Sequence, residues 1–354
     1  MGNSSERIIN TGLCAYGMSG QVFHGPLLAS DPRYRVVKVL ERSGSRSAGL
    51  FPDASIVRSL SDLIYDKDIE LIIVNTPDHT HYNFARQALN ARKHVVVEKP
   101  FTVTVREAKR LVRLAHRKGR LLTVFQNRRW DGDFLTVRKL VEQKKLGRVV
   151  EFESHFDRYR NYIQTDTWKE DGKLGTGTLY NLGSHLVDQV LVLFGMPDKL
   201  YAEIKIQRDG GKVNDYYDIH MYYEGLKVIL KSSYLVREPG PRFMVHGTQG
   251  SFLKYGTDPQ EEALKAGKLP SADPRWGRED KEWWGLLNTE VEGRSFQGAL
   301  ETEAGCYPAF YDNLYMALTG GTEPAVTPYE AVNNIYIIEK AIESSRKKHP
   351  VKIM

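Results

Sequence analysis

The sequence VVVEKP at residues 95–100 decides the fold that the rest of the chain is expected to adopt. Its three β-branched residues favour a strand with both faces covered, and Pro100 ends the strand because proline has no N–H to donate. Glu98 and Lys99 then stand at the end of a buried strand, where open α/β sheets bind their ligands. The alternative is a solvated ion pair in a loop.

Length, composition and charge indicate a globular chain with two domains. At 354 residues the chain exceeds the usual size of one domain, and its 41% hydrophobic content allows a substantial core. The net charge of +6, from 50 basic and 44 acidic residues, is a small excess. We therefore interpret the basic clusters at residues 106–120 and 346–352 as solvated faces and expect no nucleic-acid partner.

The chain carries no recognisable export or membrane signal. Residues 1–10, MGNSSERIIN, lack the apolar core of a signal peptide, and no apolar run approaches the roughly 20 residues of a transmembrane helix. Cys14 and Cys306 are far apart and match no metal or disulfide pattern, so we expect a cytoplasmic protein. Residues 1–6 also match a loose myristoylation pattern, for which a disordered start of the chain is the alternative.

A glycine pattern follows the first predicted strand, residues 8–15. AYGMSG at residues 15–20 has the spacing of the dinucleotide fingerprint G-x-G-x-x-G, with Ala15 in the first position. Gly17 lets the backbone approach a pyrophosphate, and Gly20 lets the next helix pack on the strand. We predict dinucleotide contacts from Tyr16, Gly17, Met18, Ser19 and Gly20.

Two neighbouring residues give opposite indications of the cofactor. Glu41 follows the second predicted strand, residues 34–40, and stands about 20 residues after Gly20, where a carboxylate binds the ribose hydroxyls of NAD and repels the 2′-phosphate of NADP. Arg42 and Ser43 suit that phosphate instead. We expect NAD or NADP, with NAD favoured by Glu41.

Strands and helices alternate through the first half of the chain. Predicted strands at residues 71–75, 94–97 and 121–125 are separated by predicted helices at residues 81–91 and 105–118. Helical crossovers of this length require a parallel sheet, so the fold class is α/β with a doubly wound Rossmann sheet.

The loop TPDHTH at residues 76–81 closes one of these strands and is expected near the cofactor. His79 and His81 have the spacing of a metal pair, but no third ligand is close in sequence. Helix capping by Asp78 or Thr80, with ordinary histidines, is the favoured interpretation, and no metal is expected.

The second half is predicted to form an antiparallel sheet. Partial two-residue alternation marks strands at residues 149–159, 200–207, 216–223, 226–235 and 243–246, with Glu224 and Gly225 as a hairpin turn. Helices must cover one face, and the other face, with Tyr217, Tyr223 and Tyr234, is a candidate subunit interface. Residues 258–298 are polar and are predicted to form an excursion from the sheet domain.

Residues 182–194 have helical periodicity and are accompanied by a polar stripe. Asn181, His185, Asp188 and Gln189 fall at i, i+4, i+7 and i+8, on one face of an otherwise apolar helix. A solvent-facing stripe is the ordinary explanation of such a pattern. The functional alternative is that His185 serves a site.

Four segments together resemble the glucose-fructose oxidoreductase/inositol dehydrogenase/MocA (Gfo/Idh/MocA) family, nearly end to end. They are AYGMSGQVFH at 15–24, TPDHTHY at 76–82, VVVEKP at 95–100 and GTLYNLGSHLVDQ at 177–189. QNRRWDGDFLT at 126–136 and SFLKYGTDPQEEALKAG at 251–267 are most similar to its NADP-dependent scyllo-inositol dehydrogenase branch. The resemblance implies a Rossmann domain at 1–127 and, at 128–354, an α/β domain with an open, predominantly antiparallel sheet, whose last helix packs back on the first domain.

The resemblance also implies that Lys99 and His185 are the catalytic pair. Oxidising an alcohol needs a base for the O–H proton, and the reverse reaction needs an acid. His185 titrates near neutral pH, and Lys99 can hydrogen-bond the same oxygen. Where the family has Asp four residues before the histidine, this chain has Asn181, whose amide carries no charge, so His185 is expected to be a weaker base.

Further contacts are expected around the same site. Those to the cofactor are predicted from Thr76, Pro77, His79, Glu98, Lys99, Arg129 and Trp168, with Glu98 facing the ribose. Those to the substrate are predicted from Lys99, Arg128, Trp130, Tyr159, Arg160, Asn181 and His185, because polyol sites combine bidentate donors with an aromatic platform. Two alternatives to these binding roles stay open. One is that Arg128 or Arg129 only bridges the domains, and the other is that Trp168 only packs against its neighbours.

The sequence therefore predicts an NAD(P)-dependent dehydrogenase or reductase of a cyclic polyol or sugar, assembled as a homodimer or homotetramer through the C-terminal sheet. Two other functions stay open. One is redox-assisted glycoside cleavage with tightly held NAD. The other is a nicotinamide-dependent binding protein with impaired catalysis, which Asn181 favours.

Overall fold

The computed structural model describes residues 7–291 and 293–354. The chain divides into two compact units. The first extends to Asn127 and also includes Gln260–Trp276 and Cys306–Val332, two segments that the sequence analysis assigned to the second domain; the second comprises Arg128–Pro259, Gly277–Gly305 and Asn333–Met354. The myristoylation-like pattern at residues 1–6 lies outside the described residues.

The first unit is built on a six-stranded parallel sheet. Its strands are β1 (Ile9–Leu13), β2 (Tyr34–Leu40), β3 (Ser55–Val57), β4 (Leu71–Val74), β5 (His94–Glu98) and β6 (Leu122–Phe125), and its first helices are α1 (Gly25–Ala29), α2 (Leu60–Ile64), α3 (His81–Asn90) and α4 (Val105–Lys118). The strand order is β3-β2-β1-β4-β5-β6, so the direction of winding reverses between β1 and β4. This confirms the predicted doubly wound α/β fold, although the short β3 was not predicted.

The central strands β4 and β5 are apolar because helices cover both faces of a parallel sheet. Every residue of Leu71–Val74 and of Val95–Val97 is 0% exposed. The interpretation of VVVEKP as the end of a buried strand is therefore confirmed, and the alternative of a solvated loop is wrong.

The second unit is built on a nine-stranded sheet. Its strands are β7 (Val149–His155), β8 (Lys199–Lys205), β9 (Tyr216–Tyr223), β10 (Leu226–Ser233), β11 (Phe243–Gly247), β12 (Gly250–Lys254), β13 (Gly285–Val291), β14 (Arg294–Leu300) and β15 (Val351–Lys352), and its helices include α5 (Gly132–Glu142) and α6 (Ser184–Phe194). The order is β14-β13-β12-β11-β7-β10-β9-β8-β15. Pairing between β7 and β10 is parallel and the other described pairs are antiparallel, which confirms the predicted open, mostly antiparallel sheet.

Two expectations about this sheet are wrong in part. Tyr217 is 0% exposed and Tyr234 is 8% exposed, so these two tyrosines do not lie on an open face. On β9 the buried positions are 217, 219 and 221, whereas Tyr216, Tyr222 and Tyr223 are partly exposed. A difference of one residue moves a strand side chain to the other face, and the alternation of apolar residues on β9 was too weak to fix it. Association through this sheet stays a prediction.

The second expectation concerns residues 258–298. Gln260–Trp276 do leave the sheet domain and belong to the first unit, as predicted. The later part of the stretch does not, because β13 and most of β14 form an antiparallel hairpin that pairs with β12. β14 is an edge strand with mostly exposed residues, so its composition resembles that of a loop.

The remaining helices are α7 (Gln260–Lys265), α8 (Pro308–Leu318) and α9 (Pro328–Lys347). Helix α8 belongs to the first unit, where the Phe310 ring lies 4.9 Å from that of Phe125 and the Tyr311 ring lies 5.4 Å from that of Tyr34. These aromatic contacts explain why a segment late in the sequence joins the N-terminal sheet.

Among the described residues, none of the helices combines the length and apolar character needed to cross a bilayer. Cys14 and Cys306 are both free thiols. The cytoplasmic location stays a prediction.

The start of α4 provides a test of the fold. The Thr104 side chain accepts a hydrogen bond from the N–H of Glu107, which caps the helix. We expect Thr104→Ala to lower the free energy of unfolding by about 1 kcal/mol, because that N–H then loses its partner. Urea denaturation measures the change. Thr104→Ser should retain most of the stability, and equal losses in both variants would contradict the capping role.

Candidate functional site

The loop Ala15–Gly20 is held at its start by Asn75. The Asn75 side chain accepts a hydrogen bond from the Ala15 N–H (2.9 Å) and donates one to the Ala15 carbonyl (2.8 Å). A Cβ on Gly20 would lie 2.7 Å from the Ala15 carbonyl oxygen, whereas a Cβ on Gly17 would meet nothing within 4 Å. Gly20 therefore allows close packing, and Gly17 borders open space, as the approach of a phosphate requires.

The loop continues into a π-helical turn, Gly20–His24, followed by α1. Such turns are rare and recur at functional sites. This one places His24, which is 0% exposed, next to the end of β5. Its Nε2 lies 3.0 Å from Oε1 of Glu98, and its Nδ1 lies 2.6 Å from the hydroxyl of Tyr311.

Glu98 is a buried carboxylate surrounded by donors. Besides the contact with His24, its Oε2 accepts a hydrogen bond from the N–H of Lys99 (3.0 Å). Burial alone would raise the pKa of Glu98, but the hydrogen bond from His24 and the positive charge of Lys99 outweigh it and hold that pKa below its ordinary value. Glu98 is therefore ionised near neutral pH.

The turn after Glu98 is fixed by a second histidine. The bond between Lys99 and Pro100 is cis. The carbonyl oxygen of Pro100 lies 2.8 Å from Nδ1 of His81, whose Nε2 lies 2.8 Å from the carbonyl oxygen of Thr76. His81 is fully buried, whereas His79 is exposed. No three metal-binding side chains come together within residues 7–291 and 293–354.

Glu41 is buried and its carboxylate faces its own loop. Oε1 accepts hydrogen bonds from the N–H (2.9 Å) and the hydroxyl (2.6 Å) of Ser47, and Oε2 accepts one from the N–H of Arg46 (3.0 Å). Burial would raise the pKa of Glu41, but these hydrogen bonds lower it below its ordinary value. Arg42, Ser43 and the side chain of Arg46 are exposed on the same loop.

In the second unit, α6 is preceded by a π-helical turn, Leu179–Gly183, which contains Asn181. Asn214 holds this turn, because its Oδ1 accepts a hydrogen bond from the N–H of Leu179 (2.9 Å). Gly177, just before the turn, has φ +91° and would place a Cβ 2.5 Å from the Asn214 side chain, so only glycine fits there. The predicted helix is thus confirmed and begins earlier, in π-helical form.

The polar stripe on α6 is buried, so its interpretation as solvent-facing is wrong. His185 is 4% exposed, Asp188 3% and Gln189 1%. Asp188 accepts two hydrogen bonds from Arg129, from Nε (2.7 Å) and from a terminal nitrogen (2.8 Å). This bidentate geometry is the strongest form of an ion pair between side chains.

Gln189 links the same helix to two further arginines. Its amide donates to the carbonyl oxygen of Arg128 (2.9 Å) and accepts a hydrogen bond from the guanidinium of Arg242 (3.2 Å). Arg128 also pairs with Asp131 at 3.1 Å, and its guanidinium lies 4.8 Å from the centre of the Phe156 ring. Arg128 and Arg129 are therefore both fixed within the second unit.

The remaining predicted substrate residues occupy varied environments. Tyr159 is 45% exposed, and Trp130 is half-buried. The guanidinium of Arg160 lies 5.6 Å from the centre of the Tyr234 ring. Trp168 opens a single 3-10 turn, Trp168–Glu170, whose Glu170 pairs with the buried Arg208 at 3.0 Å.

Within the first unit, the structure brings the glycine loop together with Glu98 and Lys99. The predicted residues of this unit are Tyr16, Gly17, Met18, Ser19, Gly20, Glu41, Arg42, Thr76, Pro77, His79, Glu98 and Lys99. Those of the second are Arg128, Arg129, Trp130, Tyr159, Arg160, Trp168, Asn181 and His185. Their individual roles stay predictions.

A surface pocket of about 460 Å³ lies elsewhere in the second unit. His155, Asp157, Tyr216 and Lys231 line it, and none of them is a predicted site residue. Burial would lower the pKa of His155, but hydrogen bonds to Asp157 and Glu153 raise it above its ordinary value.

Several supporting residues were missed from the sequence. His24 lies inside the quoted segment AYGMSGQVFH and was not singled out, and Asn75 is the first polar residue after a buried strand. Both residues could therefore have been singled out from the sequence next to them. Tyr311 and Asn214 carried no local signal, because their partners are distant in the sequence.

Models of one protein family match both units. An NAD-binding Rossmann fold of an oxidoreductase family matches residues 9–126, and the C-terminal alpha/beta domain of the same family matches residues 138–353. The chain belongs to the Gfo/Idh/MocA oxidoreductase family. It is therefore an oxidoreductase with a nicotinamide-binding domain, and the resemblance inferred from the sequence is confirmed.

Relatives within the family align along nearly the whole chain. The scyllo-inositol 2-dehydrogenase (NADP(+)) IolW of Bacillus subtilis is 40% identical over 97% of this chain and 95% of its own length. The uncharacterized oxidoreductase YdgJ of Escherichia coli is 40% identical over 96% of this chain and 97% of its own length. A crystal structure of an oxidoreductase from Bacillus cereus has a TM-score of 0.90 at 35% identity, covering 98% of this chain and 99% of that one.

The residues present fit the nicotinamide cofactor of the family. The open space at Gly17 and the close packing at Gly20 are the two properties that the fingerprint needs. Tyr16, Gly17, Met18 and Ser19 would hold the pyrophosphate, and the contacts of Arg42 and Ser43 with the adenosine ribose or its phosphate stay a prediction.

The two glycines give a paired test of dinucleotide binding. We expect Gly17→Ala to leave the melting temperature unchanged and to weaken NADPH binding about tenfold or more, because its Cβ occupies space needed by the ligand. Gly20→Ala should lower both, because its Cβ meets the Ala15 carbonyl. Calorimetry and NADPH fluorescence measure the two effects, and full NADPH affinity in Gly17→Ala would contradict the site.

Proposed function

We propose that this protein is an NADP(H)-dependent dehydrogenase or reductase that moves a hydride between nicotinamide and a ring carbon of a cyclic polyol, with an inositol as the first candidate. The observation that carries the proposal is the 3.0 Å contact between His24 and Glu98. It joins the turn after the glycine loop to the end of β5, and Lys99 is the next residue after this contact.

The substrate class is supported by similarity to IolW, which is named a scyllo-inositol 2-dehydrogenase. That relative is similar over nearly the full length of both chains, including the segments that contain Lys99 and His185. A polyol is also consistent with the side chains of the second unit, which include fixed arginines and exposed aromatic residues.

In the proposed reaction, a nicotinamide held at the glycine loop would supply or take up the hydride. Lys99 hydrogen-bonds the reacting hydroxyl and shares its proton with His185, which acts as the general base in oxidation. Asn181 orients the substrate or the imidazole through its amide. Because Asn181 has no charge to stabilise an imidazolium, Lys99 takes a larger share of the proton transfer than it would beside a carboxylate.

The preference for NADP(H) rests on Glu41. A carboxylate at this position normally repels the 2′-phosphate, but here Ser47 and the N–H of Arg46 engage both of its oxygens. The exposed groups of the loop are then Arg42, Ser43 and Arg46, which suit a phosphate. Glu41 stays ionised, so the proposal requires that these exposed donors outweigh its repulsion of the 2′-phosphate.

The activity is tested with NADP+ and a panel of inositols and sugars, by following absorbance of the reduced nicotinamide. We expect reduction with an inositol, and a loss in kcat of about a hundredfold or more in Lys99→Met with NADPH binding retained. Lys109→Met, which removes an exposed lysine of the same unit, is the matched control and should keep full activity. Unchanged turnover in Lys99→Met would refute the proposal; release of sugar from aryl glycosides without net reduction would favour glycoside cleavage.

The cofactor preference has its own test. We expect Arg42→Ala to raise KM for NADP+ about tenfold, the effect of one lost charge-assisted hydrogen bond, and to leave KM for NAD+ unchanged. Arg113→Ala, at an exposed position on α4, should change neither value. An equal increase in both KM values would show that Arg42 does not select the 2′-phosphate.

A further inference from the structure

We propose that the second unit binds an organic phosphate, a small molecule with a phosphate group on an apolar body, in a pocket on which three parts of the chain converge. They are the loop at residues 172–176, the loop at residues 212–214 and the end of α9 at residues 342–348. The pocket has a volume of about 580 Å³, within the range of small-molecule sites. The inference is independent of the proposed function, because none of the residues assigned to cofactor or substrate lines this pocket.

The charged part of the lining is basic. Lys173, Lys212, Arg346 and Lys348 line the pocket, and no acidic side chain of the described residues does. The ammonium of Lys173 lies 2.6 Å from a carboxylate oxygen of Asp171, so its charge is already balanced. The other three cations form no ion pair within residues 7–291 and 293–354. A concave surface lined by charges of one sign raises the local concentration of the opposite ion, so this pocket attracts anions.

The end of α9 distinguishes the cations of the pocket from a neighbour. Lys347 lies between Arg346 and Lys348 but does not line the pocket, and its ammonium pairs with Glu343, one turn earlier, at 2.6 Å. Basic residues are common at the C-terminus of a helix because its dipole favours them. The dipole does not explain Lys212, which belongs to the loop between β8 and β9. Convergence of cations from two separate elements therefore indicates a site for an anion.

The remaining lining is largely apolar and indicates what the anion is attached to. It includes the side chains of Leu174, Ile204, Val213 and Ile342. An inorganic ion would leave this surface in contact with water, whereas an organic body covers it and gains the free energy of burying apolar area. Three cations without acidic partners match the double charge of a phosphate group better than the single charge of a carboxylate. The lining therefore favours a phosphate ester.

The walls of the pocket are held by hydrogen bonds that need no ligand. The Oδ1 of Asn214 accepts a hydrogen bond from the N–H of Leu179 (2.9 Å), and its main-chain oxygen accepts one from the N–H of Thr178 (2.8 Å). At the end of α9, the Ser345 hydroxyl accepts a hydrogen bond from the N–H of Ile204 (3.0 Å). Because Asn214, Ser345 and Ile204 all line the pocket, a ligand meets a site that is already formed and loses less free energy to ordering it.

Binding is measured by calorimetric titration of the full chain with phenyl phosphate, with excess NADPH present so that a dinucleotide site is occupied. We expect a dissociation constant of about 1 mM or lower, which increases with salt concentration. Inorganic phosphate should bind about tenfold more weakly, because it has no apolar body to bury. Equal affinities for the two probes, or no binding of phenyl phosphate, would overturn the proposal.

Lys348→Gly tests the site without straining the backbone. Lys348 has φ +57°, in the left-handed region that glycine adopts most easily, so the change removes a charge and should leave the melting temperature unchanged. We expect it to weaken phenyl phosphate binding about fivefold or more. Lys144→Gly is the matched control, because Lys144 is an exposed lysine with φ +53° that also follows a helix of the second unit and lies outside the pocket. Equal losses of affinity in the two variants would overturn the proposal.

A second pair of variants compares neighbouring positions on α9. Arg346→Gln removes a cation that lines the pocket, whereas Lys347→Gln removes the adjacent one that does not. We expect the affinity for phenyl phosphate to fall about fivefold or more in Arg346→Gln and to stay near the native value in Lys347→Gln. The same loss in both would show that the positive end of the helix, and not the pocket, attracts the anion, which would contradict the proposal.

Discussion

The first unit depends on the hydrogen bonds that hold the buried, ionised carboxylate of Glu98. Burying an isolated carboxylate costs several kcal/mol, and the structure offsets this cost with hydrogen bonds from His24 and from the main chain of Lys99. The same contact connects three parts of the sequence: the turn after the glycine loop, the end of β5 and, through Tyr311, helix α8. The position of Lys99 follows from these connections.

In the second unit, hydrogen bonds likewise offset the cost of burying polar side chains of α6. Two members of its polar stripe have fixed partners: Asp188 binds Arg129, and Gln189 binds Arg128 and Arg242. Ion pairs of this kind specify one arrangement of helix and loop more than they add stability. His185 therefore stands on a helix whose rotation is fixed by its neighbours.

The sequence was sufficient where the signal is local. VVVEKP and AYGMSG each combine a strand ending with residues of special backbone behaviour, so both the parallel sheet and the glycine loop could be predicted. The sequence was insufficient where the partner is distant: His24 and Tyr311 are separated by 287 positions, and no pattern near His24 specifies a hydroxyl donor. The same limit applies to Asn214, whose partner Leu179 lies 35 positions away.

Side-chain orientation was also beyond the reach of the sequence. Tyr217 was assigned to the wrong face because strand side chains alternate and a single step reverses the assignment. The hydrogen bond from Ser47 to the carboxylate of Glu41, only six positions earlier, was not predicted either, and the role of Glu41 in cofactor binding stays a prediction. In both cases orientation depends on packing that a sequence pattern does not fix.

The ionisation of Glu98 is the central claim and is open to direct measurement. Infrared difference spectra between the native chain and Glu98→Gln isolate the carboxyl band of this residue across a pH series. The account predicts a carboxylate band at neutral pH that persists below pH 5, because the pKa of Glu98 is held under its ordinary value. A protonated carboxyl band at neutral pH would contradict it.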